Sequence, residues 1–438
     1  MSFDERALIE HVTQQRWYGA KSRGVAHSQV LDSVIVRPSE PKLALALIEM
    51  RYETGAHDVY QLLYSVHDGE VEIDDDVALA CELYDALLAG ATLAGDEGTV
   101  EFHSVQGFAS RASASAGGRS VDAEQSNTSV VFDDEAILKV FRRLEPGVNP
   151  ELEMLRFLTE HDFSNAPPLG GWYAYAGGRL GATLGILQAF VRRGVGGWEL
   201  ASDDLAAILP RLRRLGEVTA ALHTVLASDQ GDPAFAAETP SVETLGLLTA
   251  TVDEEIERVF LELPHDVEEL APIAGRGEEV RERLRSLAQG GSTGKVIRVH
   301  GDYHLGQTLW ADGDWVIIDF EGEPARTFAE RRRKRSPLRD VAGMLRSFAY
   351  AARAAEMRGA TVPETWEADA RAQFLDGYLA AIEPSLLPPG SGGIERLLAV
   401  FELEKAVYEL RYELDNRPDW VGIPVVGIQR LIDGPGSA

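Results

Sequence analysis

The sequence predicts an α+β protein with two unlike parts, strand-rich first and helix-rich afterwards. Period-two segments, among them SQVLDSVIVRP, KLALALIEMRYE and DVYQLLYSVHDG, crowd the chain before Gly197. After Gly197 apolar residues recur with helical period, as in DDLAAILPRLRRLGEVTAALHTVLA and EEVRERLRSLAQ. Length is the third observation: 438 residues exceed what one hydrophobic core organises, so two or three domains are expected.

Taken in order, DERALIEHVTQQ reads as a helix and the three period-two segments as a meander. VALACELYDALLAG has helical period, which makes Cys81 a small buried side chain rather than a nucleophile. Residues 109–120, around SRASASAGGRS, are too poor in apolar groups to pack and predict a mobile loop. SNTSVVFDDEAILKVF gives two short strands about Asp133, Asp134 and Glu135. In PGVNPELEMLRFLTE, Asn149 is a good N-cap and Pro150 fits the first helical position. GWYAY and LGILQAFV are further strands. The second part adds helices at VDEEIERVFLEL, LRDVAGMLRSFAYAARAAEMRG and RAQFLDGYLAAI, and a last long one from Ile394 to around Leu414. One stretch interrupts them, VHGDYHLGQTLWADGDWVIIDFEGEP, Val299–Pro324; VIRVHGDYH, which leads into it from Val296, and WVIIDFEGEP read as strand-like. A short β element among helices usually presents something.

Composition narrows the function classes. Seventy acidic against 42 basic residues give a formal charge of −28, a field that opposes binding to nucleic acid or anionic membrane. Cys81 is the only cysteine, which excludes an intrachain disulfide and a thiolate metal cluster. MSFDERALIEHV lacks a signal-peptide core and no apolar run reaches membrane-spanning length, so a cytoplasmic location is expected. Lysine is rare, six against thirty-six arginines, so each one merits a question.

Lys139 has large apolar neighbours on both faces of AILKVF. An ammonium so placed needs a carboxylate or a phosphate; a lysine snorkelling from a strand edge is the plainer alternative. Glu151 and Glu153 answer the dipole of the next helix, and one of them could reach Lys139. In the Val299–Pro324 stretch, Asp302 and Asp319 suit Mg²⁺-dependent phosphoryl transfer, one carboxylate deprotonating a hydroxyl and the other holding the cation. Gln307 offers a neutral oxygen five residues beyond Asp302, and Asp312 with Asp314 belongs to the intervening turn. Zinc on His300, Asp302 and His304 stays open as an alternative, as does a glycosidase pair of carboxylates. GGSTGKV is not a P-loop: Gln289 stands where a glycine is required, and Val296 follows Lys295 where Ser or Thr should.

A strand lysine, a helix glutamate, HGDxxxxQ and DFE, in that order, resemble the protein-kinase-like small-molecule kinases, the aminoglycoside and choline phosphotransferase group. KVFRRLEPGVNPELE, HGDYHLGQTLW, IDFEGEPAR, SPLRDVAGMLRSFAYAA and YELRYELDNRPDW extend the likeness along essentially the whole chain, and on them it resembles the actinobacterial maltokinase family. That resemblance implies a bilobal kinase-like fold: an N-terminal cap at 1–90, a kinase N-lobe with hinge at 91–197, and a helical C-lobe at 198–438. It implies ATP and Mg²⁺ as cofactors and phosphorylation of maltose to maltose 1-phosphate for α-glucan and glycogen synthesis. It also implies a monomer, with association to other enzymes of that pathway as an option.

By motif, Lys139 takes the role of the lysine on the nucleotide phosphates, with Glu153 preferred to Glu151 as its ion-pair partner. Asp302 takes that of the catalytic base, while Gln307 and Asp319 resemble the Mg²⁺ ligands. Ser126, Asn127 and Thr128 correspond to the phosphate-covering turn, without a full GxGxxG, and Gln188 to Phe190 to the adenine-reading hinge. For the sugar, His304, Glu321 and Glu323 line the catalytic side, and Lys405, Tyr408, Glu409 and Tyr412 recur along the late helix, a spacing that also describes ordinary packing. The run Arg331 to Arg335 either offsets phosphate charge or is solvated surface. Two other readings remain. One is a kinase of another sugar such as glucosamine, for which less space between Asp302 and the late helix is expected. The other is a pseudokinase scaffold, which has no physical need for Lys139, Asp302 and Asp319 together.

Overall fold

Alternation in the first part becomes three long strands, β1 (Val25–Arg37), β2 (Lys42–Tyr52) and β3 (His57–His67), paired as an antiparallel meander and extended by β4 (Glu70–Glu72). Helix α1 (Glu5–Gln14) places Leu8 and Val12 one turn apart, and both enter a core with Ile48, Tyr60 and Tyr64. The computed structural model describes residues 5–15, 17–21, 23–67, 70–72, 76–108, 118–121, 127–288, 294–324 and 326–433. They divide into two compact units, Met1–Arg193 and Gly194–Ala438.

In the first unit, α2 (Asp76–Ala89) carries Cys81 half-buried. Strands β5 (Thr92–Ala94), β6 (Gly98–Ser104), β7 (Gly118–Val121), β8 (Asn127–Phe132) and β9 (Ala136–Phe141) follow, then the short β10 (Arg143–Leu144) and helix α3 (Pro150–Glu160). With β11 (Leu169–Gly177) and β12 (Gly181–Ala189) they build a seven-stranded antiparallel sheet among the described residues, ordered β5-β6-β11-β12-β9-β8-β7. β10 instead joins β3 of the N-terminal sheet. Gln61, fully buried, clamps the two sheets: its amide donates to the carbonyls of Phe141 and Leu184 at 2.9 and 2.8 Å and accepts from the Tyr173 hydroxyl at 3.2 Å. Asp133 and Asp134 adopt φ of 48° and 52°, the left-handed pair that a tight β8–β9 hairpin needs. The loop expected at 109–120 falls largely at 109–117, outside the described residues.

The second unit begins with β13 (Val195–Gly196), α4 (Gly197–Asp203), α5 (Leu205–Ile208), α6 (Leu212–Leu226), α7 (Val242–Leu261) and α8 (Gly277–Ala288). Strands β14 (Thr308–Ala311) and β15 (Asp314–Ile317) then pair with β13, and α9 (Phe328–Arg331), α10 (Leu338–Met357), α11 (Trp366–Ala381), α12 (Ser391–Asn416) and α13 (Gly422–Asp433) complete it. Helices α6 and α11 cross at Gly216 and Gly377, where any Cβ would strike a carbonyl oxygen of the other helix. That close crossing brings the α6 histidine His223 to Tyr378 of α11. The expected fold class holds: a strand-rich unit with an N-terminal α+β cap, and a helix-rich unit with a small β insertion. No helix among the described residues is long and apolar enough to cross a membrane.

The strand expected over VIRVHGDYH does not form. Only Val296 and Ile297 make isolated bridges, and the first hairpin strand is β14, later in sequence. The reason lies at His300 and Gly301, whose amides donate to the Asp340 carboxylate and are therefore lost to any sheet.

Candidate active site

A dry ion pair lies among the described residues of the first unit. Lys139 lies in β9 between Ser129 of β8 and Ile186 of β12, and is 5% exposed. Asn149 caps α3 through its side chain, which accepts from the Glu151 amide at 2.8 Å, and Pro150 follows as expected. The cap directs Glu151, 1% exposed at its side chain, onto Lys139 Nζ at 3.0 Å. The sequence reading chose Glu153 for this contact; the partner is Glu151. Glu153 is two residues further round the helix and only half-buried.

The nucleotide-side expectations fare unevenly. Ser126 lies outside the described residues. Asn127 and Thr128 are not in a turn: they open strand β8, opposite Phe141 and Val140, and Thr128 Oγ1 accepts from Arg142 Nε at 2.8 Å. Gln188 sits in β12 opposite Leu169 and Ile137. The Ala189 and Phe190 amides donate to the carbonyls of Pro168 and Glu135, at 3.0 and 2.9 Å, so those donors are spent inside the unit.

The second unit assembles the acidic stretch. Buried Asp340 of α10 accepts from the amides of His300 at 2.7 Å and Gly301 at 3.0 Å, and His223 Nε2 lies 3.2 Å from it. His223 Nδ1 in turn lies 3.0 Å from the Tyr378 hydroxyl. Burial pushes the Asp340 carboxyl up, but the His223 contact and the imidazole charges outweigh it and leave it below the usual range. Sequence reading missed this carboxylate, although SPLRDVAGML contains it. Gly301 and Gly322, at φ of 90° and 76°, approach each other where side chains would crowd the loop.

Asp302 projects from this pinned loop. Its Oδ1 is 3.7 Å from Lys405 Nζ and its Oδ2 is 3.9 Å from His304 Nε2. His304 Nδ1 accepts from the Gly306 amide at 3.0 Å, so a neutral ring carries its proton on Nε2, towards Asp302. Burial depresses the His304 pKa, with Asp302 opposing and Lys405 assisting. Asp319 ends the hairpin at φ 62°, and its Oδ2 accepts from Gln307 Nε2 at 3.0 Å. The two oxygen-bearing residues expected to serve a cation are thus neighbours. A zinc set does not assemble: His300 Nε2 donates to the Ile318 carbonyl at 2.9 Å and its Nδ1 is enclosed, while His304 Nδ1 is already engaged.

A cleft of about 600 Å³ opens beside Asp302. Four residues foreseen on the late helix line it, Lys405, Tyr408, Glu409 and Tyr412, together with His304. Unforeseen lining residues are Trp198, Tyr350, Glu413, Arg417 and Trp420. Tyr350 and Trp420 stack at 6.1 Å, and the Arg417 guanidinium lies over Tyr412 and Trp420. Glu409 is tied to Arg346 at 2.7 Å and Glu413 to Arg417 at 2.7 Å, so the wall is stiff. Of the aromatic wall, Tyr408 and Tyr412 were expected from the sequence, whereas Trp198, Tyr350 and Trp420 were not. Glu321 and Glu323 do not line this cleft. Glu323 faces a smaller cavity with Arg326, which donates to it at 2.5 Å, and Glu321 approaches Arg331 at 4.0 Å. The basic run is largely engaged: Arg331 holds the carbonyls of Arg326 and Pro324, and Lys334 holds that of Pro233. Arg335 is pushed down to about 10 by burial and by Arg339 and Arg326. Lys295 donates to Thr239 at 2.7 Å, as a loop lysine does.

Residues 117–388 match the model of the phosphotransferase enzyme family, and residues 11–94 that of the maltokinase N-terminal cap domain. Glucosamine kinase of Streptacidiphilus jiangxiensis is 30% identical over 72% of this chain and 74% of its own. Glucosamine kinase of Mycolicibacterium smegmatis is 28% identical over 72% of this chain and 80% of its own. A solved glucosamine kinase superposes with a TM-score of 0.73 at 22% identity, covering 97% of this chain and 99% of that one. Another, in complex with glucosamine, ADP and inorganic phosphate, gives 0.71 at 22% identity over 96% and 98%. These two structures bear on the fold alone. Together the relatives overturn the maltokinase reading, and maltose with its α-glucan pathway falls with it. The match that carries the maltokinase name covers the cap, not the residues around Asp302.

Proposed function

This chain belongs to the phosphotransferase enzyme family, and on that premise we propose that it transfers the γ-phosphoryl group of ATP to a hydroxyl of glucosamine. The observation that carries the reading is the likeness to the Streptacidiphilus glucosamine kinase along most of both chains. The cleft supports it chemically: aromatic faces suit the C–H surface of a sugar ring, and the Glu409 carboxylate, bound to Arg346 through one oxygen, suits a protonated amine. The cleft spans about 600 Å³, while at its inner end Lys405 of the late helix comes within 3.7 Å of Asp302.

In this reading Asp302 orients the acceptor hydroxyl and takes its proton as the oxygen attacks phosphorus. Asp340, holding the His300 and Gly301 amides, fixes where that carboxylate stands. Lys139, oriented by Glu151, meets the nucleotide phosphates. Gln307 and Asp319 fit Mg²⁺, since both offer hard oxygen donors and their contact already brings them together. Bound there, the cation supplies neutralisation of phosphate charge.

An ADP-release assay with ATP and Mg²⁺ over glucosamine, glucose, maltose and a glucosamine-containing disaccharide tests the sugar. Glucosamine is expected to give the highest kcat/KM. Turnover of maltose or glucose with none of glucosamine would sink the reading.

A further inference from the structure

Resting on that reading, we propose that Lys405 is a catalytic residue whose ammonium binds the phosphoryl group during transfer, rather than an acceptor-binding residue of the cleft wall. On α12, Glu402 is held by Arg371 through two bonds of 2.8 and 2.9 Å, and Glu404 by Arg339 through two of the same lengths. Glu409 and Glu413 are likewise held by Arg346 and Arg417. Each of those arginines is committed to a carboxylate at hydrogen-bond distance. Lys405 is not. Its only carboxylate within 4 Å among the described residues is Asp302, at 3.7 Å, beyond a hydrogen bond, and its ammonium also lies 5.5 Å from the centre of the Tyr408 ring.

The bidentate Glu404–Arg339 pair fixes α12 beside Lys405, so the lysine root cannot drift while its head stays free. Asp302 must touch the hydroxyl proton, so the phosphorus that the same oxygen attacks lies within a few ångströms of its carboxylate. An ammonium beside Asp302 is then within reach of the equatorial oxygens of the moving phosphoryl group, where charge stabilisation counts most. His304 cannot serve as that cation, because its Nδ1 is spent on Gly306.

The step balances without further reagents. The acceptor oxygen forms a bond to Pγ as the bond from Pγ to the β–γ bridging oxygen breaks. ADP leaves with that electron pair, the hydroxyl proton passes to Asp302, and Lys405 keeps all three of its protons.

The full chain can be tested with Lys405→Met and Lys405→Arg, each checked for folding by thermal melting. For Lys405→Met, kcat is expected to fall about 10²- to 10³-fold, with glucosamine KM and ADP affinity changed less than about threefold. Arginine should recover at least about tenfold of that loss. The deciding measurement is binding of ADP with aluminium fluoride, Mg²⁺ and glucosamine, in an Asp302→Asn background. A loss of about tenfold or more on adding Lys405→Met supports direct contact with the phosphoryl mimic. Equal binding with and without Lys405 overturns it and makes Lys405 a positioning residue for Asp302. A loss confined to glucosamine KM overturns it in favour of acceptor binding. If the wild-type chain forms no such complex with glucosamine, the reading of the function fails, and this inference fails with it.

Discussion

Lys139 and Lys405 each face a carboxylate, and the two pairs differ in distance, burial and freedom. Lys139 and Glu151 close to 3.0 Å with side chains 6% and 1% exposed. Lys405 and Asp302 stand 3.7 Å apart with 34% and 25% exposed. The first pair has left water and repays its desolvation by a short charge-assisted contact. The second keeps its water and its freedom. A charge buried and matched can orient a neighbour or a ligand but cannot easily change partners. A charge left loose can follow a reaction. The difference predicts which pair fails as structure and which fails as chemistry.

The largest effect is expected at the open pair. Asp302→Asn removes the base and should lower kcat by about 10²- to 10⁴-fold while ADP binding, read by titration calorimetry, stays intact. Near-wild-type turnover would remove Asp302 from the mechanism. At the closed pair the loss is in folding. Lys139→Met leaves the Glu151 carboxylate enclosed without its ammonium, and denaturant unfolding should report about 3–5 kcal/mol less stability. A change below about 1 kcal/mol would mean that Glu151 finds water, and the contrast between the pairs would collapse.

How much of this contrast was legible in the sequence follows from the range of the forces involved. Lys139 declared itself because its local apolar neighbours demand a partner. The choice between Glu151 and Glu153 did not, since it turns on the rotation of α3 set by its Asn149 cap and by packing. The hairpin at Asp312 and Gly313 and the Asp302–Gln307–Asp319 group were readable as local spacing. Asp340 was not, because its partners, His223 of α6 and the His300 and Gly301 amides of the acidic loop, lie far away in the chain. The sugar was misread for a related reason. HGDYHLGQ, IDFEG and Lys139 describe phosphoryl transfer and are indifferent to the acceptor, whereas the cleft wall is built from Trp198, Tyr350 and Trp420 on separate elements.

Asp340 gives the next effect in size. Asp340→Asn keeps the shape but gives up the charge that both loop amides and His223 address, a loss of about 1.5–3 kcal/mol at neutral pH. The sign with pH is fixed by its lowered carboxyl. The native group ionises below its unfolded value of about 3.9, so its contribution is present above that pH and fades as pH falls through and below it. The gap in stability between wild type and variant should therefore be flat from pH 8 to about 5 and narrow below about pH 4. A gap that persists unchanged at the acid end would show that the ionised form is not what the loop uses.

The smallest effect is the one that separates the two lysines most sharply. Lys405→Met removes an ammonium that makes no hydrogen bond among the described residues and is about one third exposed. Its exposed attraction to Asp302 is screened by solvent, so unfolding stability should change by less than about 1 kcal/mol. The same substitution at Lys139 is expected to cost several times that, although both replace a lysine by a methionine of similar reach. If Lys405→Met unfolds as readily as Lys139→Met, the ammonium is structural after all, and any accompanying loss of turnover would report a displaced α12 rather than a missing charge.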